Sequence, residues 1–214
     1  FAKLFRPETK VIGVEPSGAN CLQVSLDKGE VTTLPSVNTI ADGTAVKTPG
    51  SKIFPYLKDN LDDVVTVDDS DIIASFLDMV ENHKMIAEGS GLLTIAALSK
   101  LKFKGKKVVS IISGGNMDVI TMSSVIQQGL IFRDRIFTVS VLLPDKPGEL
   151  AEVSNTIAKV QGNVIKLEHN QFVSTNRKAE VELRITLEAF GTEHKAEIMD
   201  ALERGGYRPR LTRT

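Results

Sequence analysis

From residue 179 to residue 188 the chain alternates without a break: Ala179, Val181, Leu183, Ile185 and Leu187 against Glu180, Glu182, Arg184, Thr186 and Glu188. Successive side chains of a strand point to opposite faces, so this run predicts a strand with one face in a core and one in water. An all-helical chain is excluded, and so is a chain built only on a parallel sheet covered on both sides. Neighbouring segments complete a unit around it. Phe137, Val139, Val141 and Leu143 alternate with Thr138, Ser140 and Leu142, which predicts a second half-buried strand. Pro147 opens a helix carrying Leu150, Val153, Ile157 and Val160 on one face; Gly162-Asn163 ends it, and Val164 and Ile165 enter the next strand. A second helix runs from a Thr192 cap to Gly205-Gly206 with Ala196, Met199 and Leu202 on its apolar face. Tyr207 to Thr214 supplies a last strand, which Pro209 places at an edge. The order strand-helix-strand-strand-helix-strand predicts a ferredoxin-like βαββαβ domain over residues 135–214.

Residues 1–134 follow another rule. Runs rich in β-branched residues, Val11 to Glu15, Val64 to Asp68 and Lys107 to Ile112, alternate with helical stretches, which predicts an α/β domain on a mostly parallel sheet with strands buried on both faces. Asp69 or Ser70 can cap a helix carrying Ile72, Ile73, Phe76 and Val80, and Gly91 to Leu101 reads as a uniformly apolar helix. The opening Phe1-Ala2-Lys3-Leu4-Phe5 has no Met and reads as the last turn of a helix, as in a piece cut from a longer chain. Composition matters here only for what it removes. With 26 Lys+Arg against 27 Asp+Glu there is no global field to hold nucleic acid or an anionic membrane. No run approaches the ~20 apolar residues of a membrane span. A single cysteine, Cys21, allows no internal disulfide and points to the cytoplasm.

Three glycine-containing corners interrupt the α/β pattern: Ile40-Ala41-Asp42-Gly43-Thr44-Ala45-Val46, Ala87-Glu88-Gly89-Ser90-Gly91, and Ser113-Gly114-Gly115-Asn116 at the end of a predicted strand. Open α/β sheets place ligands at the carboxyl ends of their strands. Each corner alone is also satisfied by a tight turn with no ligand. Taken in order with Val14-Glu15-Pro16-Ser17, the corners resemble the carboxyl half of the threonine dehydratases, pyridoxal-phosphate enzymes of the tryptophan-synthase-β fold type. Asp145-Lys146-Pro147-Gly148-Glu149-Leu150 in the tail resembles an ACT regulatory domain.

The resemblance implies a parent enzyme that converts threonine to 2-oxobutanoate and ammonia with pyridoxal 5'-phosphate. Ser113, in the Ser113-Gly114 corner, matches the hydroxyl that bonds the cofactor's ring nitrogen; a neutral partner there leaves that nitrogen unprotonated and suits elimination. Asp42 and Gly43 would line the ring and Glu88 would lie near its polar edge. The family's cofactor-bearing lysine and phosphate cradle match nothing in this chain, so the chain alone is expected to be inactive. Relatives bind a divalent cation through positions matching Glu15, the carbonyl of Ala19 and an acidic residue where this chain has Cys21, so no intact metal site is expected. The ACT resemblance implies an amino-acid effector such as isoleucine or valine, its carboxylate on the amides of Gly148, Glu149 and Leu150, beside Pro147, Val164 and Ile165, at a two-fold interface of a homo-oligomer. Two other functions share these motifs: a serine dehydratase or racemase, and a stand-alone amino-acid-binding dimerisation module. His83, His169 and His194 show no metal spacing, the lysine-rich run 102–107 reads as a solvated loop, and Arg204, Arg208, Arg210 and Arg213 lack interleaved aromatics.

Overall fold

A computed structural model of the chain describes residues 1–170 and 181–213. Ala179 and Glu180, which begin the alternating run, lie outside the described residues. Tertiary contacts divide the chain into two units, Phe1–Ile126 and Gln127–Thr214. The division falls within the helix Val119–Phe132, a little before the change of pattern at residue 134.

In the first unit, β1 (Ile12–Pro16) and β2 (Asp63–Val67) pair in parallel, from Ile12 beside Asp63 to Pro16 beside Val67. A short helix α1 (Ala2–Phe5) precedes them, and α2 (Cys21–Lys28) and α3 (Phe54–Asn60) lie between them in the chain. After β2 comes α4 (Asp69–Asp78), continued by a π-helical turn over Met79–His83. Its cap is Asp68 rather than Asp69 or Ser70: the Asp68 side chain accepts from the Asp71 amide, and the Asp71 carboxylate accepts from the Asp68 amide in return. This leaves the Asp69 side chain available for another partner. The apolar helix is α5 (Gly89–Ala96), ended by a 3-10 turn over Ala97–Ser99. Ile72, Ile73 and Phe76 of α4 meet Leu92, Leu93 and Ala96 of α5, with Val67 and Ala41, in one buried cluster. Full burial of a side chain such as Phe76 contributes roughly 2–3 kcal/mol.

The predicted third strand, Lys107 to Ile112, does not form. Those residues have no strand partner among the described residues, and Val109 and Ile111 are 89% and 71% exposed. A β-branched run becomes a strand only where a neighbouring edge offers its N–H and C=O groups. Here helix α5 holds the backbone instead: Thr94 Oγ1 donates to the Ile111 carbonyl at 2.8 Å, and Ser110 Oγ donates to the Thr94 carbonyl at 3.4 Å. Helix α6 (Val119–Phe132) follows, its first turn capped by Asp118, which accepts from the Ile120 and Thr121 amides.

The second unit has the predicted βαββαβ order: β3 (Ile136–Leu143), α7 (Glu149–Lys159), β4 (Asn163–Asn170), β5 (Val181–Glu188), α8 (Thr192–Arg204) and β6 (Arg210–Thr212). The sheet order is β4-β5-β3-β6 with every neighbour antiparallel. Val139, Val141, Leu183, Ile185 and Leu187 pack against Val153 and Ile157 of α7 and Ile198 and Leu202 of α8. Several expectations change. Helix α7 begins at Glu149, with Gly148 in a left-handed conformation (φ 101°) as its cap, so Pro147 lies before the helix and Leu150 is exposed. Gly191 rather than Thr192 precedes α8, Ala196 is exposed, and Ile198, Ala201 and the predicted Leu202 are the buried positions. β3 is more buried than predicted: Thr138, which shares a hydroxyl bond with Thr186 at 2.9 Å, and Ser140, which donates to Glu182 across the strands, are buried, while Leu142 on the same face stays exposed. β6 is shorter than predicted and occupies an edge, as Pro209 requires. Asp134 ties α8 down, accepting from Thr192 Oγ1 at 2.8 Å and Lys195 Nζ at 2.7 Å. His194 is structural: its Nδ1 accepts from the Phe190 amide at 3.0 Å, and its Nε2 lies 2.6 Å from the Val160 carbonyl.

Candidate functional site

Glycine builds the site, because it lets three stretches of backbone meet where side chains would keep them apart. A methyl group on Gly91, in the first turn of α5, would overlap the carbonyl of Ser113. One on Gly114, whose φ is 71°, would overlap the carboxylate of Glu88. One on Gly43 would stand 2.9 Å from Ser90 Oγ. The Glu88 amide donates to the Gly114 carbonyl at 3.3 Å, and Thr44 Oγ1 lies 3.4 Å from Ser90 Oγ. Asp42–Thr44 forms a single 3-10 turn in which the Asp42 carboxylate accepts from the Gly43 amide at 2.8 Å. Asp42, Gly43, Glu88, Ser113 and Gly114 are therefore brought together, although they come from three corners of the chain.

The chemistry of this cluster is mixed: the carboxylates of Asp42 and Glu88 stand beside glycine backbone and hydroxyls. Ser113 is exposed and its hydroxyl has no hydrogen-bond partner among the described residues, so it can donate to or accept from a ligand. Glu88 supplies one carboxylate over the Gly114 backbone, and Thr44 and Ser90 add hydroxyls. A flat ring with one polar edge nitrogen fits such a set: bare glycine backbone for close approach and one free hydroxyl for the nitrogen. Thr44, Ser90 and Thr94 escaped the sequence reading because a hydroxyl on a loop or helix carries no periodic signal. Thr44 and Ser90 each stood inside one of the corners, Ser90 between two glycines, and that was their only mark.

Glu15 has another duty. The Glu15 carboxylate, at the end of β1, accepts from the Leu22 amide at 2.9 Å and the Gln23 amide at 2.8 Å, capping α2 from outside the helix. Burial pushes its carboxyl above the ordinary range, with those amides acting in the other direction. Ala19 is buried in the turn that precedes α2.

In the second unit a depression of about 320 Å³ is lined by Leu143, Pro144, Asp145, Lys146, Pro147, Gly148, Glu149, Leu150, His169 and Val181. The predicted Pro147 to Leu150 stretch is thus on one wall. Nothing stands within 4 Å of a methyl group placed on Gly148, though its φ would strain any side chain there. Val164 and Ile165 are not part of this wall. Val164 sits beside Leu187, at the end of the sheet where β3 starts, whereas the depression lies where β3 ends beside Val181.

The sequence profile of the family described as pyridoxal-phosphate dependent enzyme matches residues 1–114. The chain belongs to that family. It is 36% identical over 203 residues to an L-threonine ammonia-lyase of Geobacter sulfurreducens, covering 94% of this chain and 50% of that protein. It is 35% identical over 210 residues to an L-threonine ammonia-lyase of Thermotoga maritima, covering 98% and 52%. Among solved structures it resembles the processed form of threonine deaminase isoform 2 from Solanum lycopersicum, with 35% identity, a TM-score of 0.55, and coverage of 59% of this chain and 38% of that one. Maize serine racemase gives 34% identity, a TM-score of 0.53, and coverage of 59% and 42%. The chain spans about half the length of the curated relatives it matches.

Proposed function

We propose that this chain belongs to the carboxyl-terminal half of a pyridoxal-phosphate-dependent threonine ammonia-lyase, with residues 1–134 in the catalytic domain and 135–214 forming an amino-acid-sensing domain of ACT type. The observation that carries this reading is the convergence of Asp42-Gly43, Glu88 and Ser113-Gly114 on glycine backbone in a chain of that family. When bound, pyridoxal phosphate supplies the electron sink that allows an α-proton and then a β-hydroxyl to leave an amino acid. Ser113 would hold the ring nitrogen through its hydroxyl, Gly43 and Gly114 would let the ring lie against backbone, and Glu88 would face its polar edge. A neutral hydroxyl at the nitrogen favours prompt elimination. In the complete-length protein, threonine should give 2-oxobutanoate, and Ser113→Asp should lower elimination relative to racemisation. An unchanged product ratio would remove Ser113 from this role.

The likeness to maize serine racemase supports a second reading, racemisation of serine, at nearly the same identity. Formation of D-serine from serine faster than 2-oxobutanoate from an equal concentration of threonine would select it.

For the tail, the βαββαβ order and the depression at the start of α7 support an amino-acid effector whose carboxylate rests on the first amides of that helix. Because Val164 and Ile165 lie at the other end of the sheet from that wall, their share in the site requires a second copy of the chain across a two-fold axis. Calorimetric titration of the chain with isoleucine, valine and threonine, alongside sedimentation, tests this. A monomer that releases no heat with any of the three would end the regulatory proposal.

A further inference from the structure

The turn carrying Asp42 and Gly43 does not hold its place by packing alone. β1 and β2 end side by side at Pro16 and Val67, and the residues that follow each strand grip one loop, residues 38–41. After β1, the Gly18 carbonyl accepts from the Asn38 amide at 2.9 Å, an approach so close that a side chain on Gly18 would overlap Asn38. After β2, Asp69, released from capping duty by Asp68, spends both oxygens on the same loop: Oδ1 accepts from Thr39 Oγ1 at 2.6 Å and Oδ2 from the Ile40 amide at 3.2 Å. Thr39 Oγ1 then accepts from the Ala41 amide at 3.1 Å. The Ala41 carbonyl accepts from the amide and the hydroxyl of Thr44, both at 3.0 Å, and Thr44 meets Ser90. Gly89 receives the other side of the loop, where a methyl group would stand only 3.0 Å from the Ile40 carbonyl. Ala41, at the centre, is fully buried.

We infer that Asp69 and Thr39 are positioning residues that set the Asp42-Gly43 turn against Ser90 and Glu88 for the cofactor. They touch no ligand themselves; the relay runs from the Asp69 carboxylate through the Thr39 hydroxyl to the Ala41 amide. A carboxylate-to-hydroxyl bond is a strong, charge-assisted one, and the hydroxyl is fixed as donor to Asp69 and acceptor from Ala41. The inference rests on the reading of the first unit as a pyridoxal-phosphate site.

Thr39→Val keeps the shape and removes the relay, while Thr39→Ser restores the hydroxyl. In this chain, hydrogen exchange at the Ala41 and Thr44 amides should accelerate about tenfold in Thr39→Val and stay within about twofold of the parent in Thr39→Ser. In the complete-length protein, the affinity for pyridoxal phosphate, read from its fluorescence, should fall about tenfold in Thr39→Val (about 1.4 kcal/mol) and recover in Thr39→Ser. Unchanged exchange in Thr39→Val overturns the relay. Faster exchange with unchanged cofactor affinity overturns the positioning role and leaves only a structural bond. A parent protein that binds no pyridoxal phosphate while Thr39→Val exchanges faster sinks the cofactor reading of the site, and with it the claim that the relay serves the cofactor.

Discussion

Gly91 and Ser113 are the clearest case of one residue setting another. The Ser113 carbonyl occupies the space a side chain on Gly91 would need, so Gly91→Ala must push the 113–114 corner away from α5. Overpacking of this kind costs about 1–3 kcal/mol, and a denaturant titration of the variant against the parent should show that loss. Restoration of stability without a second change would mean that the corner yields freely. Asp134 supports a pH prediction. The hydrogen bond from Lys195, then that from Thr192, holds its carboxyl below the usual carboxylate range. A depressed folded value means that the contribution is present above the unfolded pKa, near 3.8, and disappears as pH falls through the lower folded value. Asp134→Asn should therefore destabilise the chain at pH 7 by about 0.5–1 kcal/mol, and the gap to the parent should close as pH falls below 3.8 through the lower folded value. Thermal unfolding of both across pH 2 to about pH 7 checks the sign.

At the scale of elements, hydrophobic period and partner availability part company. Ile72, Ile73 and Phe76 read as one helix face and form one, because a helix satisfies its own backbone and needs neighbours only for its side chains. Lys107 to Ile112 reads as a strand at least as clearly and forms none, because a strand's backbone must be satisfied by another strand. The consequence is measurable in this chain. Ile111→Lys should change stability by less than about 0.5 kcal/mol, since the side chain is exposed, whereas Phe76→Ala should cost about 3–5 kcal/mol. A large loss from Ile111→Lys would show that residues 108–111 are buried in solution, against the fold described. Helix starts show the same division. The acidic run Asp68 to Asp71 announced a cap, yet which member caps and which turns to Thr39 depends on a loop thirty residues earlier in the chain.

For the whole molecule, the two patterns of strand predict a change of domain at residue 134, and tertiary contacts divide the chain into Phe1–Ile126 and Gln127–Thr214. No lysine occurs in residues 40–46, 87–91 or 113–116, the corners that converge in the first unit. We therefore expect the chain, supplied with pyridoxal phosphate and threonine, to yield no 2-oxobutanoate above a blank holding the free cofactor. Turnover above that blank would refute this expectation. Among the described residues, no helix is long and apolar enough to cross a membrane.

The sequence by itself determined what depends on near neighbours: the helical face of α4, the alternation of β5, the edge position of β6 beside Pro209 and the βαββαβ order. Periodicity and ring constraint act within a few residues, so they can be read along the chain. Only the tertiary structure decided that residues 107–112 find no strand partner among the described residues, that Val164 and Ile165 stand away from the depression beside Pro147, and that Asp69 reaches Thr39. Each of these depends on which groups meet across thirty or more residues, or on which end of a sheet a strand enters. A hydrogen bond to a distant partner leaves no period in the sequence that makes it.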